Sequence, residues 1–350
     1  MSVRLRPFRI GELEIPLPVV LAPLAGYSDL PYRLICRRLG APYCATEMML
    51  DRLLLSRGRH QARLLATDED DHPIAGQIIG SDPAVMAEAA KVLCRIGFDV
   101  VDLNFACPVN KALRRRRGGY LMKDPELVER IVRSVVDVSD RPVTVKIRQK
   151  FREADTSEAG LEIAARSFDA GAAAVTVHAR SVEAKYAGPA DWAFLADLRA
   201  RLPGRTMLGS GDILTAADAL RMLRETGVDA VLAARGALGN PWFFRQVRDL
   251  ADGRPPYRPA IDEQRRLLEG HFAHACEFYG ALRGPRIMRG FGIKYARMHP
   301  APKQLRMAFV EVKRSEDWNA VLETFYSAEY DAQGRARAEA GPDAPEETET

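Results

Sequence analysis

Long apolar runs are the first thing this sequence lacks. The longest, such as 17–25, are broken by prolines. They stop well short of the ~20 residues that cross a bilayer, so no membrane-spanning helix is expected. Residues 1–6 carry arginines, but Pro7, Arg9 and Glu12 leave no apolar centre for a secretory leader. Cysteine is scarce. Cys36, Cys44, Cys94, Cys107 and Cys276 are an odd, scattered set with no Cys-x-x-Cys pair. That argues against a disulfide framework and against structural zinc or another metal site. It points to the reducing cytoplasm, and it leaves at most one thiol for special chemistry. No Gly-x-Gly-x-x-Gly follows a strand-like run, so the fingerprint of FAD and NAD folds is missing. Nor is there an excess of one charge. The net value is +4 over 350 residues, with 47% hydrophobic and 28% charged residues, a globular mixture that excludes a disordered or fibrous chain. The charge is unevenly spread. Asp343, Glu346, Glu347 and Glu349 crowd the last nine residues without a base, so the remainder carries +8, compatible with a polyanionic partner.

What is present is alternation. Apolar or β-branched runs at 18–22, 43–47, 74–79, 99–105, 142–148, 173–178, 206–210 and 229–234 are separated by helical patterns such as 83–96, 125–138, 157–170 and 216–225. Strand and helix alternating in this way imply a parallel sheet, and eight units imply an α/β fold of the closed (β/α)8 TIM-barrel type. The strands are apolar throughout, as they must be when both faces are buried. The segment 253–259 is rich in proline and glycine and reads as a linker. Helical patterning then runs from Asp262 to about Tyr326, which implies a smaller all-α domain. The expected division is therefore a barrel over residues 1–252, a helical domain over 253–330, and a disordered acidic tail over 331–350, whose composition cannot bury a core.

Active sites of such barrels gather at the carboxyl ends of the strands. The residues there are Pro23 after the first run, Glu47 after the second, Gln77 in the third, Asn104 and Cys107 after the fourth, and Lys146 and Arg148 in the fifth. His178 and Arg180 follow the sixth, Ser210, Gly211 and Asp212 the seventh, and Arg235 and Gly236 the eighth. Glycines after the last two runs, each before a helical pattern, suit a phosphate. Gln77, Lys146 and His178 suit a flavin ring, which needs an amide at its pyrimidine edge and a cation beside its reduced form. One phosphate favours FMN. The plain alternative is that the three are unrelated strand-end polar residues. Cys107, in Asn104-Phe-Ala-Cys-Pro108, is either an inert buried thiol or an acid or nucleophile. Lys111 and the run Arg114–Arg117 are either a solvated turn or a grip on nucleic acid. A second basic series runs from Arg283 through Arg286, Arg289, Lys294, Arg297 and Lys303 to Arg306, with Tyr295 and His299 available to contact nucleotides.

Read together, these stretches resemble the tRNA-dihydrouridine synthase family. They include Leu21-Ala-Pro-Leu-Ala-Gly-Tyr-Ser-Asp29, Gly76-Gln-Ile-Ile-Gly80, Asp102-Leu-Asn-Phe-Ala-Cys-Pro108, Val145-Lys-Ile-Arg148 and Val177-His-Ala-Arg180. Tyr186-Ala-Gly-Pro-Ala-Asp-Trp192, Gly209-Ser-Gly-Asp212 and Ala234-Arg-Gly-Ala-Leu-Gly-Asn-Pro-Trp242 continue the series in family order. The resemblance implies reduction of the C5–C6 bond of selected tRNA uridines by an enzyme that uses FMN and is recharged by NADPH; a monomer is the default expectation, in the cytoplasm that the cysteines indicate. It implies Cys107 as the general acid at C5, opposite a hydride that reaches C6. It implies Pro23, Gln77, Lys146, His178, Ser210, Gly211, Asp212, Arg235 and Gly236 around the FMN. Asn104, Lys111, Arg148, Arg180 and Tyr186 would then meet the uridine or its tRNA. Two other readings share parts of the pattern: an FMN reductase of a free pyrimidine or other small unsaturated compound, and a non-catalytic RNA-binding protein.

Overall fold

The computed structural model describes residues 4–327 and residue 330. It opens with an antiparallel hairpin, β1 (Phe8–Ile10) and β2 (Leu13–Ile15), that the sequence reading missed. The eight expected strand runs then all form strands: β3 (Val19–Leu21), β4 (Cys44–Ala45), β6 (Ile74–Ile79), β7 (Val100–Asn104), β8 (Val143–Arg148), β9 (Ala174–His178), β10 (Met207–Ser210) and β11 (Ala230–Ala233). They pair in parallel around a closed ring, in which β11 meets β3 on one side and β4 meets β6 on the other. A two-residue strand, β5 (Met49–Leu50), lies along the upper end of β6 and was also missed. The ring is a (β/α)8 barrel, as expected.

Helices connect the strands: α1 (Leu30–Arg38), α2 (Asp51–Leu54), α3 (Arg59–Leu64), α4 (Pro83–Ile96), α5 (Asn110–Leu113), α6 (Pro125–Val136), α7 (Glu158–Asp169), α8 (Trp192–Arg201), α9 (Ala216–Thr226) and α10 (Phe243–Ala251). Their ends follow local chemistry. Asp82 caps α4 by accepting the N–H groups of Ala84 and Val85, with Pro83 at the first helical position, and Thr215 and Asp218 form a reciprocal capping box on α9.

Period-two alternation divides the barrel interior into a dry half and a polar half. Val100, Ala174, Leu208 and Ala230, near the strand starts, join Phe8, Ile10 and Ile15 of the hairpin in one apolar cluster. The turn at Gly11 packs on Pro142 and Ala173, just before β8 and β9, so the hairpin plugs the amino-terminal mouth. Further along β7, β8 and β9, the same inward face carries Asp102, Asn104, Thr144, Lys146, Thr176 and His178. Polar groups are thus collected at the carboxyl end because the other end is sealed with small and aliphatic side chains.

Beyond α10 the 254–260 segment has no regular structure. It leads into α11 (Ile261–Tyr279), α12 (Gly284–Tyr295), α13 (Pro302–Val310) and α14 (Ser315–Phe325). Trp318 and Phe309 stand 5.0 Å apart and Phe272 stacks on Trp318 at 4.9 Å, forming the centre of this bundle. The bundle shares one continuous core with the barrel. Tyr32 of α1 lies 5.2 Å from Phe291 and 5.8 Å from His271, and its hydroxyl donates to the Ala237 carbonyl at 2.7 Å. Gly239, at φ +77°, lets the loop after β11 meet the Lys294 backbone, which any Cβ there would strike. Tyr295 and His299, expected to face nucleotides, are buried instead. Tyr295 bonds His271 Nδ1 at 3.0 Å, and His299 Nε2 meets the Phe325 carbonyl at 2.7 Å. An aromatic at helical spacing closes a core more readily than it waits for a ligand. The tail proposed for 331–350 lies outside the described residues.

Phe291 is fully buried between Tyr27, Tyr32 and His271. Phe291→Ala is expected to cost about 3–5 kcal/mol in denaturant unfolding, the usual loss for an aromatic cavity. A change below about 1 kcal/mol would mean that barrel and bundle are not packed through this residue.

Candidate active site

At the carboxyl ends of the strands the barrel opens into a cavity of about 460 Å³. Pro23, Gln77, Asn104, Cys107, Lys146, Arg148, His178, Tyr186, Ser210, Gly211, Asp212 and Arg235 all line it. Lys111, Arg180 and Gly236 do not. The sequence reading missed the apolar wall, which includes Leu24, Tyr27, Met48, Val109, Ile213 and Leu238. Tyr27 was visible only as part of a matched stretch. A larger cavity, about 700 Å³, lies between the start of α9, the 254–260 segment and Arg297–Pro300. No thiol, lysine or carboxylate faces it, so volume does not decide the site.

Gln77, Asp102 and Asn104 form one hydrogen-bond chain. Asp102 Oδ1 accepts from Thr144 Oγ1 at 2.7 Å, and Oδ2 accepts from Gln77 Nε2 at 2.6 Å. Gln77 Oε1 accepts from Asn104 Nδ2 at 2.7 Å. Asn104 Oδ1 accepts the backbone N–H groups of Ala106 and Cys107 at 3.0 and 2.9 Å. The loop that presents the thiol is therefore tied to the barrel floor. Arg148 ties its other side. Nε donates to the Ala106 carbonyl at 2.9 Å, and Nη1 donates to the carbonyls of Ser181 and Lys185 at 2.7 Å each. The sequence reading missed Asp102 and Thr144 as members of the site, because a side-chain bond between neighbouring strands leaves no local pattern.

The electrostatics follow from burial. Lys146 is pushed down to about 8 by burial, opposed by the Asp102 charge, and Arg148 is pushed down to about 10, also by burial. His178 is driven down to about 2 by burial and then by the Arg148, Lys146 and Arg180 charges, so its ring is neutral. Its Nδ1 is buried without a hydrogen-bond partner among the described residues. Burial raises the Cys107 thiol, against the Val109 N–H and the Arg148 and Lys146 charges, so sulfur keeps its proton at neutral pH.

Near β10, Asp212 takes the left-handed conformation (φ +56°). Burial raises its carboxyl, but Arg180, the Ala190 N–H and Arg235 outweigh that and hold it below the usual range. Arg180 Nη2 reaches both carboxylate oxygens at 2.5 and 2.6 Å, while its Nη1 is buried and unpartnered near Gly211. The Gly236 N–H is spent on the Ile213 carbonyl at 3.2 Å, and a Cβ there would strike Phe243. Its glycine is explained by packing. Tyr186 stands 60% exposed at the rim, with the guanidinium carbons of Arg148 and Arg235 at 5.7 and 6.0 Å from its ring centre.

The cavity fits a flavin on its own terms. Its size lies within the usual range for ligand sites. It offers an unpartnered ring nitrogen on His178 and the Lys146 ammonium, for which no ion pair is formed among the described residues.

Two basic groups flank the mouth. Lys111, Arg114, Arg115 and Arg116 are exposed on α5 and the turn after it. Arg116 has φ +52°, and after it Arg117 turns inward to Asp51 at 3.9 Å, so the run presents three free guanidinia rather than four. Arg283, Arg286 and Arg289 are exposed at the start of α12, whose Phe291 packs on Tyr27 of the cavity wall. Arg297, expected in that series, is instead a tether that donates to the Arg235 carbonyl at 2.8 Å. Among the described residues no helix is long and apolar enough to cross a membrane, and no three metal-ligating side chains cluster.

Comparison with known proteins adds a family. Residues 20–329 match the dihydrouridine synthase (Dus) family. The chain is 36% identical over 321 residues to the tRNA-dihydrouridine synthase B of Xanthomonas campestris pv. campestris, covering 91% of this chain and 96% of that one. It is 34% identical over 321 residues to the tRNA-dihydrouridine synthase B of Pseudomonas aeruginosa, with the same coverage. It is 34% identical over 325 residues to a probable tRNA-dihydrouridine synthase of Rhodobacter capsulatus, covering 91% and 97%. Among solved structures, a 2-naphthoyl-CoA reductase complex superposes with TM-score 0.56 at 12% identity, and histamine dehydrogenase from Rhizobium sp. 4-9 with 0.57 at 14%. These span 71% and 77% of this chain and about half of their own lengths (52% and 51%), and they attest to the barrel fold alone.

The buried thiol gives a test that needs no ligand. Alkylation of Cys107, followed at its own peptide by mass spectrometry, is expected to rise with pH along a curve centred above the ordinary thiol value of 9.0. A midpoint below that value would mean a stabilised thiolate, unsuited to donate a proton.

Proposed function

The chain belongs to the dihydrouridine synthase family, and from that premise we propose that it reduces the C5–C6 double bond of selected uridines in tRNA to dihydrouridine, with FMN as its bound cofactor and NADPH as electron donor. The observation that carries this reading is the convergence of the buried Cys107 thiol with Gln77, Lys146 and His178 on one cavity at the barrel mouth.

Gln77, Lys146 and His178 would hold the flavin ring, and Pro23, Ser210, Gly211 and Arg235 its ribityl and phosphate end. Asp212 acts through its ion pairs with Arg180 and Arg235. When bound and reduced, the flavin supplies a hydride to C6 of the uracil. Charge then builds at C5 and on the C4 carbonyl, and a proton must arrive at C5. Cys107 holds that proton at Sγ. As the S–H bond breaks and the C5–H bond forms, a thiolate is left. The groups that oppose the rise of the thiol, namely the Val109 N–H, Arg148 and Lys146, are those that would stabilise this thiolate until water returns a proton.

A base inside folded RNA must leave its stack to reach this cavity, so the enzyme must grip backbone on both sides of one extruded nucleotide. Lys111, Arg114, Arg115 and Arg116 on one side of the mouth, and Arg283, Arg286 and Arg289 on the other, supply that grip. Tyr186, exposed between two guanidinia, offers a stacking face. Asn104 has an amide hydrogen left for the uracil after its bond to Gln77. We assign residues 1–252 to catalysis and 253–330 to tRNA binding, in a cytoplasmic enzyme acting as a monomer.

Purified protein is expected to be yellow and to release FMN. Colourless protein that cannot be reconstituted would favour a non-catalytic RNA-binding role, and turnover of free pyrimidines without tRNA would favour a small-molecule reductase. Cys107→Ala is expected to keep FMN and still oxidise NADPH, while tRNA reduction falls by about 10²–10⁴, the usual worth of a general acid. Wild-type rates in that variant would remove Cys107 from the chemistry.

Replacing Arg114, Arg115 and Arg116 together by glutamine is expected to weaken tRNA binding and lower the slope of log affinity against log salt by about 2. An unchanged slope would return the turn to solvent.

A further inference from the structure

The hydrogen-bond chain behind Cys107 has a direction, and one residue sets it. A carboxylate accepts and cannot donate, whereas a carboxamide can be turned either way. Asp102 faces the hydroxyl of Thr144 at 2.7 Å and the amide nitrogen of Gln77 at 2.6 Å. Because only N–H can point at this carboxylate, Gln77 must present Oε1 to its other neighbour, Asn104 Nδ2, at 2.7 Å. Asn104 is thereby forced to aim Oδ1 at the loop, where it receives the Ala106 and Cys107 N–H groups. Reversing Asn104 would set its NH2 against the loop N–H groups, and reversing Gln77 would set its NH2 against that of Asn104, so that Asn104 could keep its bond to Gln77 only by giving up the loop. Asp102, Gln77 and Asn104 are all buried, so a lost partner among them is costly.

We propose that Asp102 is a positioning residue: by fixing the orientation of the Gln77 and Asn104 amides it holds the Cys107 loop, and with it the sulfur, at the wall of the mouth. Burial pushes its carboxyl up, and the hydrogen bonds from Gln77 and Thr144, then the Lys146 charge, oppose that push. The proposal deepens the reading of Cys107 as a proton donor and rests on that reading for its tRNA measurement alone.

Two variants separate direction from charge. Asp102→Leu removes the acceptor and frees both amides to turn. Asp102→Asn removes the charge, yet one of its orientations still accepts from Gln77 while its NH2 donates to the Thr144 hydroxyl. In cofactor-free protein, iodoacetamide modification of Cys107 at fixed pH is expected to accelerate about tenfold in Asp102→Leu, as a loosened loop exposes the thiol, and to stay within about twofold of wild type in Asp102→Asn. With tRNA and saturating NADPH, kcat should fall roughly 100-fold in the leucine variant, the scale of an ångström-sized misplacement, with KM nearly unchanged and the asparagine variant restoring most of the rate. If Asp102→Leu does not fold, Gln77→Met breaks the chain one link later and should accelerate the same modification. A leucine variant that matches wild type would overturn the proposal, and so would an asparagine variant as impaired as the leucine one. The modification assay uses no flavin and no RNA. A wild-type protein that reduces no uridine would therefore refute the functional reading and leave the positioning test standing.

Discussion

Charge buried in the upper half of a closed barrel is the constraint on which the rest depends. A parallel barrel fills its interior with every second residue of each strand. Here those positions hold Asp102, Lys146 and His178, with Arg148 at the end of β8. Isolated charges there would be very costly, so each is compensated locally. Asp102 takes two hydrogen bonds, Arg148 donates to three carbonyls, His178 gives up its charge, and Lys146 faces the cavity with no ion pair among the described residues. Sealing the opposite mouth with the β1–β2 hairpin keeps water from relieving this arrangement from below.

The same constraint explains why the thiol is protonated without being inert. A cysteine in a fully apolar pocket would have no way to release its proton. Cys107 is raised by burial, but two cations and a backbone N–H lie close enough to favour its anion. The arrangement suits a group that must be an acid first and a tolerable thiolate afterwards. The helical bundle adds reach: through Tyr27, Tyr32, Tyr279 and Arg297 it is locked against the loops after β3 and β11, so its exposed arginines hold a fixed position relative to the mouth.

Much of this was legible in the sequence. All eight barrel strands lay within the apolar runs, since fully buried strands are continuous in hydrophobicity. The hairpin was not, because three-residue strands such as Phe8–Ile10 are too short to show a period, and β5 at Met49–Leu50 is shorter still. Most of the strand-end residues converge on one cavity. Gly236 does not, because a glycine required by packing against Phe243 looks the same in sequence as one required by a ligand. Nor does Arg180 line the cavity, because its buried guanidinium is clamped on Asp212. Tyr295 and His299, which the sequence leaves available to nucleotides, are core. In each case the deciding fact was a partner distant in sequence, which a single chain read linearly does not supply.

The account is tested most directly in the cell's own RNA. Dihydrouridine should be mapped in tRNA from cells lacking this gene, and from the same cells carrying a wild-type or a Cys107→Ala copy. The account predicts that the modification disappears from a defined set of positions and returns with the wild-type copy but not with the alanine one. An undiminished map in the deletion strain, or full restoration by the variant, would contradict it.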